Sequence, residues 1–225
     1  MITFEQLVQR ARMLVGDGRR ALLGITGAPG AGKSTLAEQL IQMLAPAPPP
    51  TLIPDQWIAY VPMDGFHLAD DELVRLHRRD RKGAPDTFDA AGYAALLRRL
   101  HDDSDEVVYA PCFQRCLEQP IAGAIPIPPS ARLIITEGNY LLFHDYGWGG
   151  VRSQLDEVWY VDLDADERMR RLIARHVWFG KEPVAAVAWA TGTDERNAVL
   201  INATRSHADL IVPASLTRAL GAPPD

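Results

Sequence analysis

The sequence predicts an α/β fold in three layers, with helices covering both faces of a mainly parallel β-sheet. Three observations favour this fold. Short apolar runs typical of buried strands alternate with stretches of helical periodicity along most of the 225 residues. A glycine-rich turn joins the first of these strands to a helix. Polar residues also gather where several strands end, and ligands of parallel sheets bind at that edge.

The first elements are a capped helix and a buried strand. Thr3 and Gln6 have the spacing of a capping box, and an apolar stripe follows as far as Val15. The glycines at 16 and 18 end this helix. The run at 21–26 is then short and almost wholly apolar, which is typical of a strand buried on both faces.

The turn after this strand matches the phosphate-binding pattern G-x-x-x-x-G-K-[ST] in full. In such a turn the backbone N–H groups converge on a phosphate, and glycine allows the close approach. Lys33 would reach the β- and γ-phosphates, and the Ser34 hydroxyl would ligate Mg²⁺. The predicted nucleotide-binding residues are Gly27, Ala28, Pro29, Gly30, Ala31, Gly32, Lys33, Ser34 and Thr35.

The rest of the chain continues the alternation of strands and helices. Five prolines between residues 45 and 54 prevent the second helix from continuing, because proline lacks the N–H group and clashes with the preceding turn. We predict strands at 57–63, 106–109, 132–136, 158–161 and 210–212, a hairpin arm or irregular edge at 121–127, and helices at 70–79, 90–101, 165–179, 183–190 and 194–205.

Composition limits the partners we expect. The net charge is −6 and the pI about 5.5, so no global basic field points to nucleic acid or an anionic membrane. No apolar run is long enough to span a bilayer, and the N-terminus does not have the pattern of a signal peptide. Cys112 and Cys116 do not form a zinc pattern and suit a reducing cytosol. We therefore expect a cytoplasmic protein, and a homodimer is the commonest assembly of such proteins.

Four stretches, in the order 63–67, 81–89, 136–142 and 161–176, resemble the P-loop kinase family of uridine kinase, bacterial pantothenate kinase and phosphoribulokinase. The bacterial branch labelled fructose transport system kinase is the most similar, and the resemblance runs from about residue 22 to 212. It implies a single P-loop kinase domain over 1–225, with a helical lid near 165–182. It also implies ATP and Mg²⁺ as cofactors and transfer of the γ-phosphoryl group to a hydroxyl of a small molecule, with fructose as one candidate.

The resemblance also implies roles for individual residues. Asp64 would take the proton of the acceptor hydroxyl, and Glu137 would join Ser34 in holding Mg²⁺. Arg168, Arg171 and Arg175 would share one face of the lid helix, given their spacing of three and four residues. Of these we favour Arg171 and Arg175 as phosphate contacts. The predicted catalytic residues are Asp64, Lys33, Arg171 and Arg175.

The acceptor pocket is the least determined part. The segments that line it in related kinases carry, in this chain, Lys82, Asp89, Phe113, Arg115, Asn139 and Tyr140, and Asp64 would also contact the acceptor. Asp89 could equally cap the helix that follows it, and Tyr140 could equally be a core aromatic. This branch commonly has an acidic residue where Gln114 stands, so one acceptor contact differs. We expect His67 to be a surface or packing residue, and the role of His176 is open.

Three alternative functions remain. The acceptor could be pantothenate-like or a nucleoside in place of a sugar. A regulatory P-loop NTPase would use hydrolysis as a switch, but the guanine-binding pattern N-K-x-D is absent from the sequence. A nucleotide-binding module without activity is disfavoured because Lys33, Ser34, Asp64 and Glu137 are all present.

Overall fold

The computed structural model describes residues 2–50, 52–103, 105–213 and 215–216. The helices are α1 (Phe4–Met13), α2 (Lys33–Leu44), α3 (Asp70–Arg75), α4 (Ala90–His101), α5 (Ala165–Trp178), α6 (Pro183–Trp189) and α7 (Glu195–Asn202). The strands are β1 (Ala21–Thr26), β2 (Ile58–Pro62), β3 (Val108–Gln114), β4 (Gln119–Ile127), β5 (Leu133–Glu137), β6 (Glu157–Val161) and β7 (Leu210–Val212). None of the described helices combines the length and apolar character needed to cross a bilayer.

Five of the described strands form one parallel sheet in the order β2-β5-β1-β6-β7. One apolar cluster packs α1 and α2 against one face, and a second packs α4 and α7 against the other. The predicted three-layer α/β fold is therefore confirmed. The central strands β1, β5 and β6 are buried along their whole length, as expected for strands covered on both faces.

The predicted capping box of α1 is present, with the Thr3 hydroxyl accepting from the Gln6 N–H at 3.2 Å. Two other helices, α3 and α7, are shorter than predicted. Helix α3 ends four residues before the predicted boundary, because His77 has a φ of 54° and cannot continue a right-handed helix. A π-helical turn over Ala190–Asp194 leads into α7, which ends at residue 202 and not at 205.

Strands β3 and β4 form an antiparallel hairpin, which decides between the two readings of segment 121–127. The hairpin packs on the turn that follows β2. A Cβ atom on Gly65 would lie 2.3 Å from the Pro111 carbonyl oxygen, so only glycine allows this approach. The contact brings the end of β3 close to the strand-end residue Asp64.

A buried arginine holds the opposite end of the sheet. The Arg20 guanidinium is fully buried and donates to four backbone carbonyls, those of residues 100, 128, 129 and 131, at 2.8–3.3 Å. Removing it would leave these acceptors without this donor in the protein interior.

We therefore expect Arg20→Met to lower the free energy of unfolding by about 3 kcal/mol in urea denaturation. The matched control is Arg19→Met, because the neighbouring Arg19 side chain is 86% exposed. Its effect should stay within about 0.5 kcal/mol. Equal losses of stability in the two variants would contradict the role assigned to Arg20.

Candidate active site

A cavity of about 600 Å³ opens at the carboxyl edge of the parallel sheet. The turns after β1, β2 and β5 contribute to it, together with hairpin residues on one side and residues of α5 and α6 on the other. The sequence-predicted site residues that line it are Pro29, Lys33, Ser34, Asp64, Lys82, Arg115, Glu137, Asn139 and Arg175. The fold thus brings together side chains that are more than 140 residues apart in sequence.

The backbone of the phosphate loop adopts conformations that glycine allows and other residues rarely adopt. Gly30 and Gly32 have φ values of 81° and 96°, in the left-handed region. A Cβ on Gly30 would also lie 3.0 Å from the Arg168 carbonyl oxygen. Gly32 precedes α2, and no side chain caps the first turn of that helix. The N–H groups of this turn are therefore oriented for an anion.

Lys33 begins α2 and is nearly buried, with 8% of its surface exposed. Its Nζ donates to the Ala28 carbonyl at 3.2 Å. Burial lowers the pKa of Lys33 to about 8, while the nearby Glu137 opposes the shift. A bound phosphate group would add negative charge beside this ammonium and favour its protonated form.

Glu137 ends β5 and lies beside the phosphate loop. The Ser34 hydroxyl donates to Glu137 Oε1 at 3.2 Å, and the Tyr60 hydroxyl donates to the same oxygen at 3.1 Å. Burial raises the pKa of Glu137, and the carboxylate of Asp64 adds to this effect. Sequence reasoning missed Tyr60, since an aromatic residue in a strand carries no functional signal.

The Ser34 and Glu137 oxygens fit a magnesium ion that also binds nucleotide phosphates. Mg²⁺ takes oxygen ligands, and in kinases the protein supplies only one or two while water and phosphate supply the others. In the described part of the chain no group of three histidine, cysteine or acidic side chains could hold a metal without such help. The donor set therefore suits a metal that arrives with its nucleotide.

Asp64 lies in the 3₁₀ turn Met63–Phe66 that follows β2. One of its carboxylate oxygens is 3.6 Å from Arg115 Nη2, at the end of the hairpin. The Arg115 guanidinium in turn stacks over the Phe179 ring, 5.3 Å from its centroid. Asp64 is thus a partly exposed carboxylate facing the cavity, with its orientation supported by an arginine.

The three arginines of α5 have different surroundings. Arg175 lines the cavity, and its pKa is lowered by desolvation and by the neighbouring Arg115. Arg171, also expected to contact the phosphate, does not line the cavity, and its Nε lies 2.7 Å from a carboxylate oxygen of Glu167. Arg168 is buried, forms an ion pair with Glu195 and contacts the Pro29 carbonyl.

Two predicted acceptor contacts also lie outside the cavity lining. The exposed Asp89 accepts from the Gly92 N–H at 2.8 Å and caps α4, so the alternative reading of this residue holds. Tyr140 is buried, and its hydroxyl donates to the Gly83 carbonyl at 2.6 Å. Because Gly83 itself lines the cavity, Tyr140 supports the wall without forming it.

His67 packs against the Phe88 and Phe113 rings, as a packing residue would, and its side chain also lines the cavity next to Asp64. Its place in the segment 63–67, three residues after the strand-end aspartate Asp64, was the available signal for a role in the cavity. His176 also lines the cavity, with Nε2 2.7 Å from a carboxylate oxygen of Asp194. The other lining residues that sequence reasoning missed are Asp70, Arg79, Asp80, Glu118, Gly138, Phe179, Lys181, Trp189 and Asp194.

Known proteins resemble this chain over most of its length. A Schizosaccharomyces pombe protein that carries the name of a uridine kinase is 30% identical to this chain over 215 residues. The match covers 94% of this chain and 88% of the yeast protein. A Silicibacter protein of known crystal structure, which carries the name of a fructose transport system kinase, is 38% identical in sequence to this chain, and the two structures superpose with a TM-score of 0.82. The match covers 95% of this chain and 100% of the Silicibacter chain.

Two further comparisons are more limited. YFH7 of Saccharomyces cerevisiae, described as a P-loop containing kinase with a circular permutation, has a TM-score of 0.78 over 94% of this chain and 98% of its own. At 20% identity, this likeness shows the fold alone. Residues 3–48 match the family described as methylmalonyl Co-A mutase-associated GTPase MeaB. That match covers α1, β1, the phosphate loop and α2 only.

Proposed function

The chain belongs to the family of P-loop kinases that includes uridine kinase and pantothenate kinase, and on that basis we propose that it transfers the γ-phosphoryl group of Mg-ATP to a hydroxyl of a small molecule. One observation carries the proposal. A single cavity contains the phosphate-loop Lys33, the carboxylate of Asp64 and the lid Arg175. Charge stabilisation and removal of the acceptor proton are what phosphoryl transfer requires of a protein.

Each of these residues has a distinct role in the proposal. Lys33 and Arg175 stabilise the negative charge that develops on the transferred group. Asp64 accepts the proton of the acceptor hydroxyl, and Arg115 orients its carboxylate. Ser34 and Glu137 hold Mg²⁺, which when bound neutralises charge on the β- and γ-phosphates. In this proposal Tyr60 orients Glu137 through its hydrogen bond.

A regulatory GTPase is the second candidate, because residues 3–48 match a GTPase family. Most of that segment is a strand, phosphate loop and helix, which many nucleotide-binding proteins share. The full-length similarity is to kinases, and the N-K-x-D pattern that reads guanine is absent. We therefore favour ATP as the donor and an alcohol as the acceptor.

A coupled assay of ADP release tests the proposal. ATP and GTP are each incubated with the protein and Mg²⁺, with and without D-fructose, pantothenate or uridine. D-fructose is the first acceptor to test, because a relative carries the name of a fructose transport system kinase. We expect ATP turnover that depends on one acceptor. Nucleotide hydrolysis that is equally fast with GTP and unaffected by every acceptor would contradict a kinase.

A further inference from the structure

Arg168 is a buried charge that the proposed mechanism does not use. It lies in the first half of α5, its side chain is only 4% exposed, and it does not line the cavity. A guanidinium taken out of water is stable only where acceptors satisfy its donors, because desolvation of the charge is costly. The acceptors of Arg168 are the carboxylate of Glu195 on α7 and the carbonyl of Pro29 in the phosphate loop.

The first of these contacts to consider is the one between α5 and the phosphate loop. Arg168 Nη1 donates to the Pro29 carbonyl at 3.4 Å, and Pro29 itself lines the cavity. Next to it, Gly30 has a φ of 81°, and a Cβ atom there would lie 3.0 Å from the Arg168 carbonyl oxygen. The loop conformation that orients N–H groups for an anion is therefore formed in close contact with Arg168.

The other acceptor, Glu195, is the first residue of a helix that the fold holds in place. The buried side-chain amide of Asn197 donates to the Gly83 carbonyl at 3.1 Å, and Gly83 belongs to the cavity wall. Farther along α7, the Asn202 side-chain oxygen accepts from the Tyr160 hydroxyl of β6 at 2.6 Å. Helix α7 is thus tied both to the cavity wall and to the parallel sheet, and it offers a fixed support for the buried arginine.

The π-helical turn before α7 makes a second contact with α5. Asp194 ends this turn, and one of its carboxylate oxygens lies 2.7 Å from His176 Nε2. Asp194 and Glu195 are consecutive in sequence, whereas their partners on α5 are separated by about two helical turns. Two neighbouring acidic residues therefore hold α5 at two points, and the pair with Arg168 is the point that also contacts the phosphate loop.

We propose that Arg168 is a positioning residue for nucleotide binding: its pair with Glu195 anchors the phosphate loop to α7 and holds Pro29 and Gly30 in the conformation that binds a triphosphate. This inference rests on the proposed function, in which the phosphate loop binds Mg-ATP. It adds that the affinity for the nucleotide depends on Glu195, a residue that does not line the cavity.

The sign of the effect of Glu195 separates positioning from simple charge repulsion. A carboxylate repels a nearby triphosphate, so through charge alone Glu195→Ala would strengthen nucleotide binding. If Glu195 anchors Arg168, the same substitution releases the guanidinium and weakens binding. For magnesium with a non-hydrolysable ATP analogue, we expect Glu195→Ala to raise Kd about 3–10-fold and Arg168→Gln to raise it about 10–100-fold.

A double variant tests whether the two residues act as a unit. Because both act through one contact, Arg168→Gln combined with Glu195→Ala should bind the analogue no more weakly than Arg168→Gln alone. In the ADP-release assay the KM for ATP should rise, while the KM for the acceptor stays within about twofold of the wild type. A side chain that only stabilises the fold would leave both constants of the folded protein unchanged.

Arg152→Gln is the matched control. Like Arg168, Arg152 pairs with a carboxylate of another segment, that of Asp209, and donates to a backbone carbonyl, that of Leu155, but these partners lie outside the phosphate loop. Its Kd for the analogue should equal that of the wild type. Calorimetry measures each Kd, and urea denaturation establishes that each variant is folded. If Arg168→Gln does not fold, Glu195→Ala decides the question, since the Glu195 side chain is 42% exposed.

The outcomes distinguish this inference from the function on which it rests. Glu195→Ala that binds the analogue as tightly as the wild type, or more tightly, would overturn the inference and leave the proposed function standing. Additive losses in the double variant would overturn it as well. If the wild type itself did not bind the analogue, the proposed function would have failed, and the inference with it.

Discussion

Replacing Arg175 with glutamine is expected to lower kcat for phosphoryl transfer by about 10³–10⁵-fold, the range that one arginine at the transferred group contributes. Arg175 lines the cavity together with Lys33. Its guanidinium lies near that of Arg115, and this proximity together with desolvation lowers the pKa of Arg175. An anion bound beside Arg175 relieves this unfavourable charge, and the relief increases as negative charge develops in the transition state.

The matched control for this prediction is Arg170→Gln on the same helix. The Arg170 side chain is 75% exposed and pairs with Glu167, so its loss should change kcat less than about twofold, as for an exposed ion pair. Steady-state kinetics with ATP varied would separate kcat from KM. A tenfold loss or less for Arg175→Gln would exclude a direct role at the transferred phosphoryl group.

The second large effect is expected for Asp64→Asn, which should lower kcat by about 10²–10⁴-fold. Asparagine keeps the shape of the side chain but cannot take the proton of the acceptor hydroxyl at neutral pH. Because Asp64 serves the acceptor in the proposed mechanism, the affinity for Mg-ATP should remain close to that of the wild type. Calorimetry with a non-hydrolysable ATP analogue would measure that affinity.

Asp71→Asn serves as its control, because Asp71 lies on α3, is exposed and does not line the cavity. Its kcat should match that of the wild type. If Asp64→Asn turned over substrate at a comparable rate, another group would have to accept the proton. If it lost Mg-ATP binding in the same proportion as kcat, the carboxylate would belong to the nucleotide half of the site.

The backbone of the phosphate loop could be predicted from the sequence because its geometry is local. A glycine-rich turn followed by a helix orients its N–H groups through backbone conformation alone, and Gly30 and Gly32 have the positive φ values that this requires. Asp64 and Glu137 could be predicted from their place at strand ends. In a parallel sheet those ends meet at one edge, whatever the intervening loops do.

The side chains on the proposed acceptor side of the cavity could not be predicted in the same way, because their positions depend on contacts between segments that are distant in sequence. Helical spacing puts Arg171 and Arg175 near one face of α5, but the fold leaves Arg171 with Glu167 and aims Arg175 into the cavity. From the sequence, Asp89 could either contact the acceptor or cap a helix. In the structure it accepts a hydrogen bond from the Gly92 N–H and so caps α4. His67 becomes a lining residue only because Phe88 and Phe113 pack against its ring.

The sequence by itself determined the parallel sheet, the phosphate loop and the two strand-end carboxylates, since backbone conformation and strand order follow from short patterns. Tertiary structure alone decided which side chains of the hairpin, α5 and α6 complete the cavity. Those side chains come from segments such as 113–118 and 175–194, which meet residues 64–83 only after folding. Their direction depends on packing across the whole molecule, and no local pattern encodes it.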